Sequence, residues 1–184
     1  MTEQGAGDVE LVRRSQRGDR EAFGLLVLRY QDRIYNTTMR LLSDPDDAAE
    51  VAQEVFLRAF AHIGGFEGKS AFSTWLYRIA INCALSRRRK RQVAKEVALS
   101  DFAGGSGNPH SDETSSLEEA ERNRLIEEAL AALAPDLRSV VVLRDLEGLN
   151  YEAVARVLKV SQGTVKSRLH RARNTLRKKL KGFA

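Results

Sequence analysis

A single cysteine, Cys83, stands in 184 residues, so no internal disulfide can form. The three histidines, His62, His110 and His170, lack metal-ligand spacing, and a metal site would have to be assembled from carboxylates. No stretch reaches the roughly 20 apolar residues of a membrane-spanning helix, and the first residues, MTEQGAGDVELVRRS, contain no apolar run of the secretory type. Membrane insertion and export are therefore not expected. The cytoplasm is the expected compartment, and the Asn36-Thr37-Thr38 match to a glycosylation acceptor is then a chance one. No alternating apolar-polar run marks a strand. Neither a nucleophile constellation nor a phosphate-binding loop is present, which argues against an enzyme and calls for no cofactor. Aromatics are scarce at 7%, with one tryptophan, Trp75.

Charge, by contrast, is plentiful and unevenly placed. The chain is 42% hydrophobic and 30% charged, with a formal net charge of +5. From Tyr77 to Lys95 there are seven Lys or Arg and no acid, and from Ser161 to Ala184 there are eight and again no acid. Between Asp44 and Glu54 the balance inverts, with five acids and no base. The basic blocks suit phosphate, whereas the acidic block needs a partner of another kind.

Gly, Ser, Asn, Pro and Asp dominate Ser100 to Ser116 (SDFAGGSGNPHSDETSS), which has no apolar periodicity. A flexible linker over 97–116 thus separates an N-terminal domain, 8–96, from a C-terminal one, 117–184. Helical spacing runs through both, so the expected fold is all-α: two small helical domains joined by the linker. Phe23, Leu26, Val27 and Tyr30 begin an apolar stripe that Ile34, Met39 and Leu42 continue. Asp44 caps the next helix, with Pro45 at its first position and acids in its first turn, and Gly64-Gly65 ends it. Ser70 or Ser73 is expected to cap the helix that carries Trp75. On it Leu76, Ile79, Ala80 and Cys83 share a buried face, while Arg78, Asn82, Ser86 and Arg89 share a polar one.

The most specific local pattern is LNYEAVARVLKVSQGTVKSRLHRARNTLRKKL. Asn150 caps a helix with Val154, Ala155 and Leu158 inward, the chain turns at Lys159-Val160, and Ser161 caps a second helix with Val165, Leu169, Ala172, Leu176 and Leu180 inward. This is a helix-turn-helix. Thr164, Lys166, Ser167, Arg168, Arg171 and Arg173 face outward, the leading residues suited to a major groove and the later arginines to phosphates. The plainer alternative is a basic helical hairpin with a solvated outer face.

Two other stretches leave alternatives open. In FEGKSAFSTWLYRIAINCALSRRRKRQ, scarce aromatics adjoin dense positive charge, as either a core edge or a platform for unpaired bases. On the acidic helix Asp47, Glu50 and Glu54 lie along one face, as a solvated face, as carboxylates for Mg²⁺, or as a docking surface. Gln53 and Phe56 among those acids favour docking.

DDAAEVAQEVFLRAF, SAFSTWLYRIAINCALSRRRKR and LAPDLRSVVVLRDLEGLNYEAVARVLKVSQGTVKSRLHRARNTLRKKL, in that order, closely resemble the two domains of extracytoplasmic-function sigma factors of bacterial RNA polymerase. The resemblance implies a non-enzymatic specificity subunit that binds core polymerase and directs promoter-specific initiation. It implies that Asp47, Glu50, Gln53, Glu54 and Phe56 dock on the clamp helices of the largest subunit. It also implies that Lys69, Ser70, Ser73, Thr74, Arg78 and Asn82 contact the melted non-template strand of the minus-ten element. Phe72 and Trp75 would wall the melted junction or support it from beneath, and Arg87, Arg88 and the basic residues to Arg91 would grip phosphates. The helix from Ser161 and Thr164 onward would read the minus-thirty-five duplex, its surroundings docking on the polymerase flap. An anti-sigma factor is a further implied partner, one that could hold the chain near a membrane. The family usually has Gly where this chain has Lys159. The competing reading is a stand-alone helix-turn-helix regulator that binds duplex DNA only.

Overall fold

The computed structural model describes residues 7–99 and 117–180. Every regular element among them is a helix. The N-terminal domain comprises α1 (Asp8–Gln16), α2 (Arg20–Leu42), α3 (Pro45–His62) with a short 3-10 turn at Ile63–Gly65, and α4 (Phe72–Leu99). The C-terminal domain comprises α5 (Leu117–Ala131), α6 (Pro135–Val141), a wide π turn at Val142–Leu146, α7 (Tyr151–Leu158) and α8 (Gln162–Leu180).

Short polar side chains fix where the helices begin. Asp19 accepts from the Ala22 amide at 3.0 Å to start α2 and is held by Arg14 at 2.8 Å. Asp44 accepts from the Asp47 amide at 3.0 Å, with Pro45 at the first helical position as expected. That bond, reinforced by Arg91, lowers the Asp44 carboxyl below its ordinary value. The start of α4 differs from expectation. The helix begins at Phe72, so neither Ser70 nor Ser73 occupies the cap position, and the Ser70 hydroxyl donates to Ala71 O at 3.3 Å instead. The helix also runs past residue 96 to Leu99, and the remainder of the expected linker, 100–116, lies outside the described residues.

In the N-terminal core, Leu11, Leu26, Ile34, Val51, Val55, Leu76 and Tyr77 are essentially sealed from solvent. The α2 stripe deviates at its end, where Thr37, Thr38 and Leu41 are buried while Met39 and Leu42 are only half-buried. The Thr38 hydroxyl lies 2.8 Å from Tyr35 O and 3.0 Å from Ala48 O, which satisfies it inside the α2–α3 contact. In the C-terminal core Val140, Val142, Leu143, Val154, Val165, Leu169 and Ala172 converge. The inward face of α7 is rotated from the expected one. Ala153 and Val157 are buried beside Val154, Ala155 and Leu158 are half-buried, and Leu180 at the end of α8 is exposed.

The two domains pack on each other, α4 against α7 and α2 against α5 and α6, so their cores are continuous. Arg138 of α6 is 3% exposed and ties them together. Its Nη1 donates across the domain boundary to Leu41 O at 2.9 Å, and its Nη2 donates to Ala131 O, holding the end of α5. Burial, with the neighbouring Arg88 charge, pushes the guanidinium down to about 10, so it remains charged at neutral pH. Replacing it leaves these carbonyls without a donor and opens a cavity. Arg138→Ala is expected to cost about 3 kcal/mol, read as a lower urea midpoint; an unchanged midpoint would show that the carbonyls find other donors.

Candidate nucleic-acid and partner interface

The helix-turn-helix is built as the sequence indicates. Asn150 Oδ1 accepts from the Ala153 amide at 2.8 Å, and Ser161 Oγ accepts from the Thr164 amide at 3.0 Å. Between them Lys159 adopts φ 55°, ψ 45°, a left-handed conformation that costs an L-residue about 1–2 kcal/mol. Val160 N then bonds Ala155 O at 3.1 Å, closing the helix end.

On α8, Ser161, Lys166, Ser167 and Arg171 are exposed and Thr164 is half-buried. Thr164 is used locally, its hydroxyl 2.9 Å from Ser161 Oγ, while Ser167 donates to Thr164 O at 3.0 Å. Lys166 lies over the Tyr151 ring at 5.9 Å. Two arginines already hold acids of their own domain, Arg168 to Asp136 at 3.3 Å and Arg173 to Asp145 in a two-point contact at 3.0 and 2.5 Å. The sequence pattern gave no sign of these pairs, because Asp136 and Asp145 lie outside the motif.

In the region from Phe66 to Asn82 the aromatics pack together. Phe72 is 4% and Trp75 9% exposed, clustered with Phe66 and Tyr30 at ring-centroid distances of 5.2 to 6.0 Å. Their faces are covered by one another, so in this state they are a floor and not a stacking surface. Tyr30 is anchored by its hydroxyl, which donates to Asp8, and burial followed by that bond raises its pKa to about 12. Flanking these aromatics in the chain, Lys69 is exposed and Ser70, Ser73 and Thr74 are half-buried, while Arg78 and Asn82 are exposed on α4.

The acidic helix divides its expected docking residues between two faces. Asp47 accepts from Arg87 Nε at 2.7 Å and from Arg91 at 2.7 Å, Glu50 accepts from Arg87 Nη1 at 2.9 Å, and Glu54 accepts from Arg58 at 2.5 Å. Arg87 is therefore committed to acids of α3 rather than free for phosphate as expected, and Arg88 is half-buried against the C-terminal domain beside Arg138. Gln53 and Phe56 point the other way. With Val27, Tyr35, Leu57 and Phe60 they line an open groove of about 900 Å³ between α2 and α3. Leu57 at 65% and Phe60 at 45% exposure were not anticipated, although their spacing with Gln53 and Phe56 on one helical face could have identified them. Among the described residues no cluster of His, Cys, Asp or Glu could hold a metal, and no helix is long and apolar enough to cross a membrane.

A sigma-70 region 2 family model matches residues 26–93, and a sigma-70 region 4 model matches residues 123–176. The RNA polymerase sigma-H factor of Pseudomonas aeruginosa is 42% identical over 94% of this chain and 93% of its own. The ECF RNA polymerase sigma-E factor of Escherichia coli K12 is 36% identical over 94% of each. Among solved structures, the sigma factor RpoE of Bartonella quintana, in complex with the anti-sigma factor NepR, superposes with a TM-score of 0.74 at 28% identity, covering 88% of this chain and 98% of that one. CnrH, solved in complex with the cytosolic domain of CnrY, gives 0.72 at 25% identity, covering 96% and 99%. A region 2 followed by a region 4 with its helix-turn-helix is the layout of a reduced sigma factor. The chain belongs to the extracytoplasmic-function sigma factors of bacterial RNA polymerase, and the stand-alone regulator is not favoured.

The left-handed Lys159 is a point of avoidable strain in the turn before α8. Lys159→Gly should stabilise the chain by about 0.5–1 kcal/mol after glycine's entropy cost, raising the melting temperature by about 2 °C. A fall in melting temperature would mean that the lysine side chain supports the turn.

Proposed function

We propose that the chain docks on core RNA polymerase through α3 and the groove it shares with α2, captures melted minus-ten DNA with the loop over the aromatic floor, and reads minus-thirty-five duplex with α8. It is a non-enzymatic subunit acting in the bacterial cytoplasm. The division of labour follows the domains, 8–96 for docking and melting and 117–184 for duplex reading.

The observation that carries the docking reading is the open groove lined by Phe56, Leu57 and Phe60 on one face of the helix whose other face carries the acids Asp47, Glu50 and Glu54. That combination fits a helical partner with apolar residues at its centre and basic ones at its rim, such as the polymerase clamp helices. Minus-ten capture rests on the polar residues Lys69, Ser70, Ser73, Thr74, Arg78 and Asn82 flanking these aromatics in the chain. Extruding a base costs a few kcal/mol, and with Phe72 and Trp75 buried the return comes from polar contacts and from the polymerase. Arg171, exposed, and Lys166 supply phosphate contacts at the duplex, with Arg168 and Arg173 available once they release Asp136 and Asp145. The likeness to RpoE, solved with the anti-sigma factor NepR, supports an anti-sigma factor as a partner of this chain as well.

Leu57→Asp leaves the buried face of α3 untouched and places a charge in the groove. It is expected to weaken binding to core polymerase by about 2 kcal/mol, roughly thirtyfold in Kd, in a fluorescence titration, with the helical circular-dichroism signal unchanged. Unaltered affinity would remove the groove from the interface. Arg171→Ala should weaken binding of a minus-thirty-five duplex and reduce the slope of log K against log salt by about 0.9; an unchanged slope would exclude a phosphate contact there.

A further inference from the structure

The domain interface contains a carboxylate that none of the roles above uses. Glu147 follows the π turn of the C-terminal domain. Its amide bonds Val142 O at 2.9 Å, and Gly148 at φ 75° then redirects the chain to the Asn150 cap. This geometry extends the Glu147 side chain into the N-terminal domain, where it is 5% exposed. Tyr77 Oη donates to its Oε2 at 2.5 Å and Thr37 Oγ1 to its Oε1 at 2.9 Å. Arg40 and Arg33 of α2 approach it at 3.4 and 3.5 Å. Burial, and then the bond to Glu147, push the Tyr77 hydroxyl far above its ordinary range, so it remains a donor at any working pH. Nearby, Arg156 of α7 donates to Lys69 O at 3.3 Å, which sets the helix-turn-helix against the loop assigned to minus-ten DNA.

We propose that Glu147 is the latch of a closed state of the free chain, and that it must release before one molecule can read both promoter elements. The need for release rests on the proposed division of labour. Elements centred about 25 base pairs apart lie roughly 85 Å apart along B-form DNA at 3.4 Å per pair. With Arg156 of the helix-turn-helix touching Lys69 of the loop, the two reading elements cannot span that distance. Closure acts by geometry and not by covering the reading face, since Lys166, Ser167 and Arg171 remain exposed. The latch is suited to opening because its contacts are polar. Release rehydrates Glu147, Arg33, Arg40, Tyr77 and Thr37, which offsets much of the attraction lost there, while the Arg138 bond to Leu41 O and the apolar contacts that join the two cores must part as well. All four partners of Glu147 belong to the other domain, so exchanging it leaves the fold of its own domain intact.

The test measures the distance between domains in the full chain with paired spin labels at Val9→Cys and Lys178→Cys, both on exposed positions, while buried Cys83 stays unlabelled. With Glu147 present, one short, narrow distance population is expected. Glu147→Lys, which opposes Arg33 and Arg40, should shift the open population from below about 10% to a majority, and adding Arg40→Glu should reverse part of that shift. Thr37→Val with Tyr77→Phe, which keep shape, should also open the chain, and they serve as the reading if Glu147→Lys loses helical signal. A closed distribution in both variants overturns the latch. Wild-type chain in an initiating complex with core polymerase and promoter DNA should give the long distance, and retention of the short one there also overturns the proposal. Absence of any initiation by wild-type chain, by contrast, counts against the promoter reading and leaves the distance result for the latch standing.

Discussion

Glu147 places a negative charge at the junction of two domains, 5% exposed and surrounded by a phenol, a hydroxyl and two guanidinium groups from the opposite side. Burying a carboxylate in this way is unfavourable by several kcal/mol unless it is fully paired, and removing one partner of such a pair typically costs about 3–5 kcal/mol. The relative placement of the domains is thus set by a contact that tolerates few alternatives. Arg138 makes the complementary contact in the same interface, a buried cation whose two Nη groups bond carbonyls and the Ser43 hydroxyl while its Nε finds no partner. These polar contacts specify the geometry of a boundary at which apolar side chains of both domains also meet. Such a boundary can be both well defined and reversible.

The same economy recurs in the functional surfaces. Arg87 and Arg91 neutralise Asp44, Asp47 and Glu50, Arg168 pairs with Asp136, and Arg173 pairs with Asp145. The charges proposed to meet polymerase and DNA are here paired within the chain itself. The more exposed of these pairs, such as Arg173 with Asp145, are worth at most about 1 kcal/mol, whereas those to Asp47, 14% exposed, are held more firmly. The apolar elements behave differently. Phe66, Phe72, Trp75 and Tyr30 pack into a closed cluster, and Phe56, Leu57 and Phe60 line an open groove.

Much of this was legible in the sequence wherever a local rule applied. The Asp44, Asn150 and Ser161 caps, the Pro45 start and the inward Val165, Leu169 and Ala172 follow from spacing within one helix or turn. The all-α class and the helix-turn-helix follow from the same periodicities. What escaped depended on long-range contacts. The Ser70 and Ser73 cap failed because aromatic packing of Phe72 decides where α4 begins. The α7 face was misread because the angle at which α7 meets α8 buries Ala153 and Val157 in place of Ala155 and Leu158. The pairing of Arg87 with Asp47 and Glu50 was not legible because nothing local reveals that α4 lies beside α3. Glu147 was silent for the same reason, since its partners are 70 to 114 residues away along the chain.

The most direct test is reconstitution of transcription: purified chain is added to bacterial core RNA polymerase, and genomic fragments that yield initiated transcripts are selected and sequenced. Transcripts that begin downstream of one shared bipartite motif, and only when the chain is present, are the predicted result. Duplex binding by the chain with no polymerase association and no initiation would contradict it.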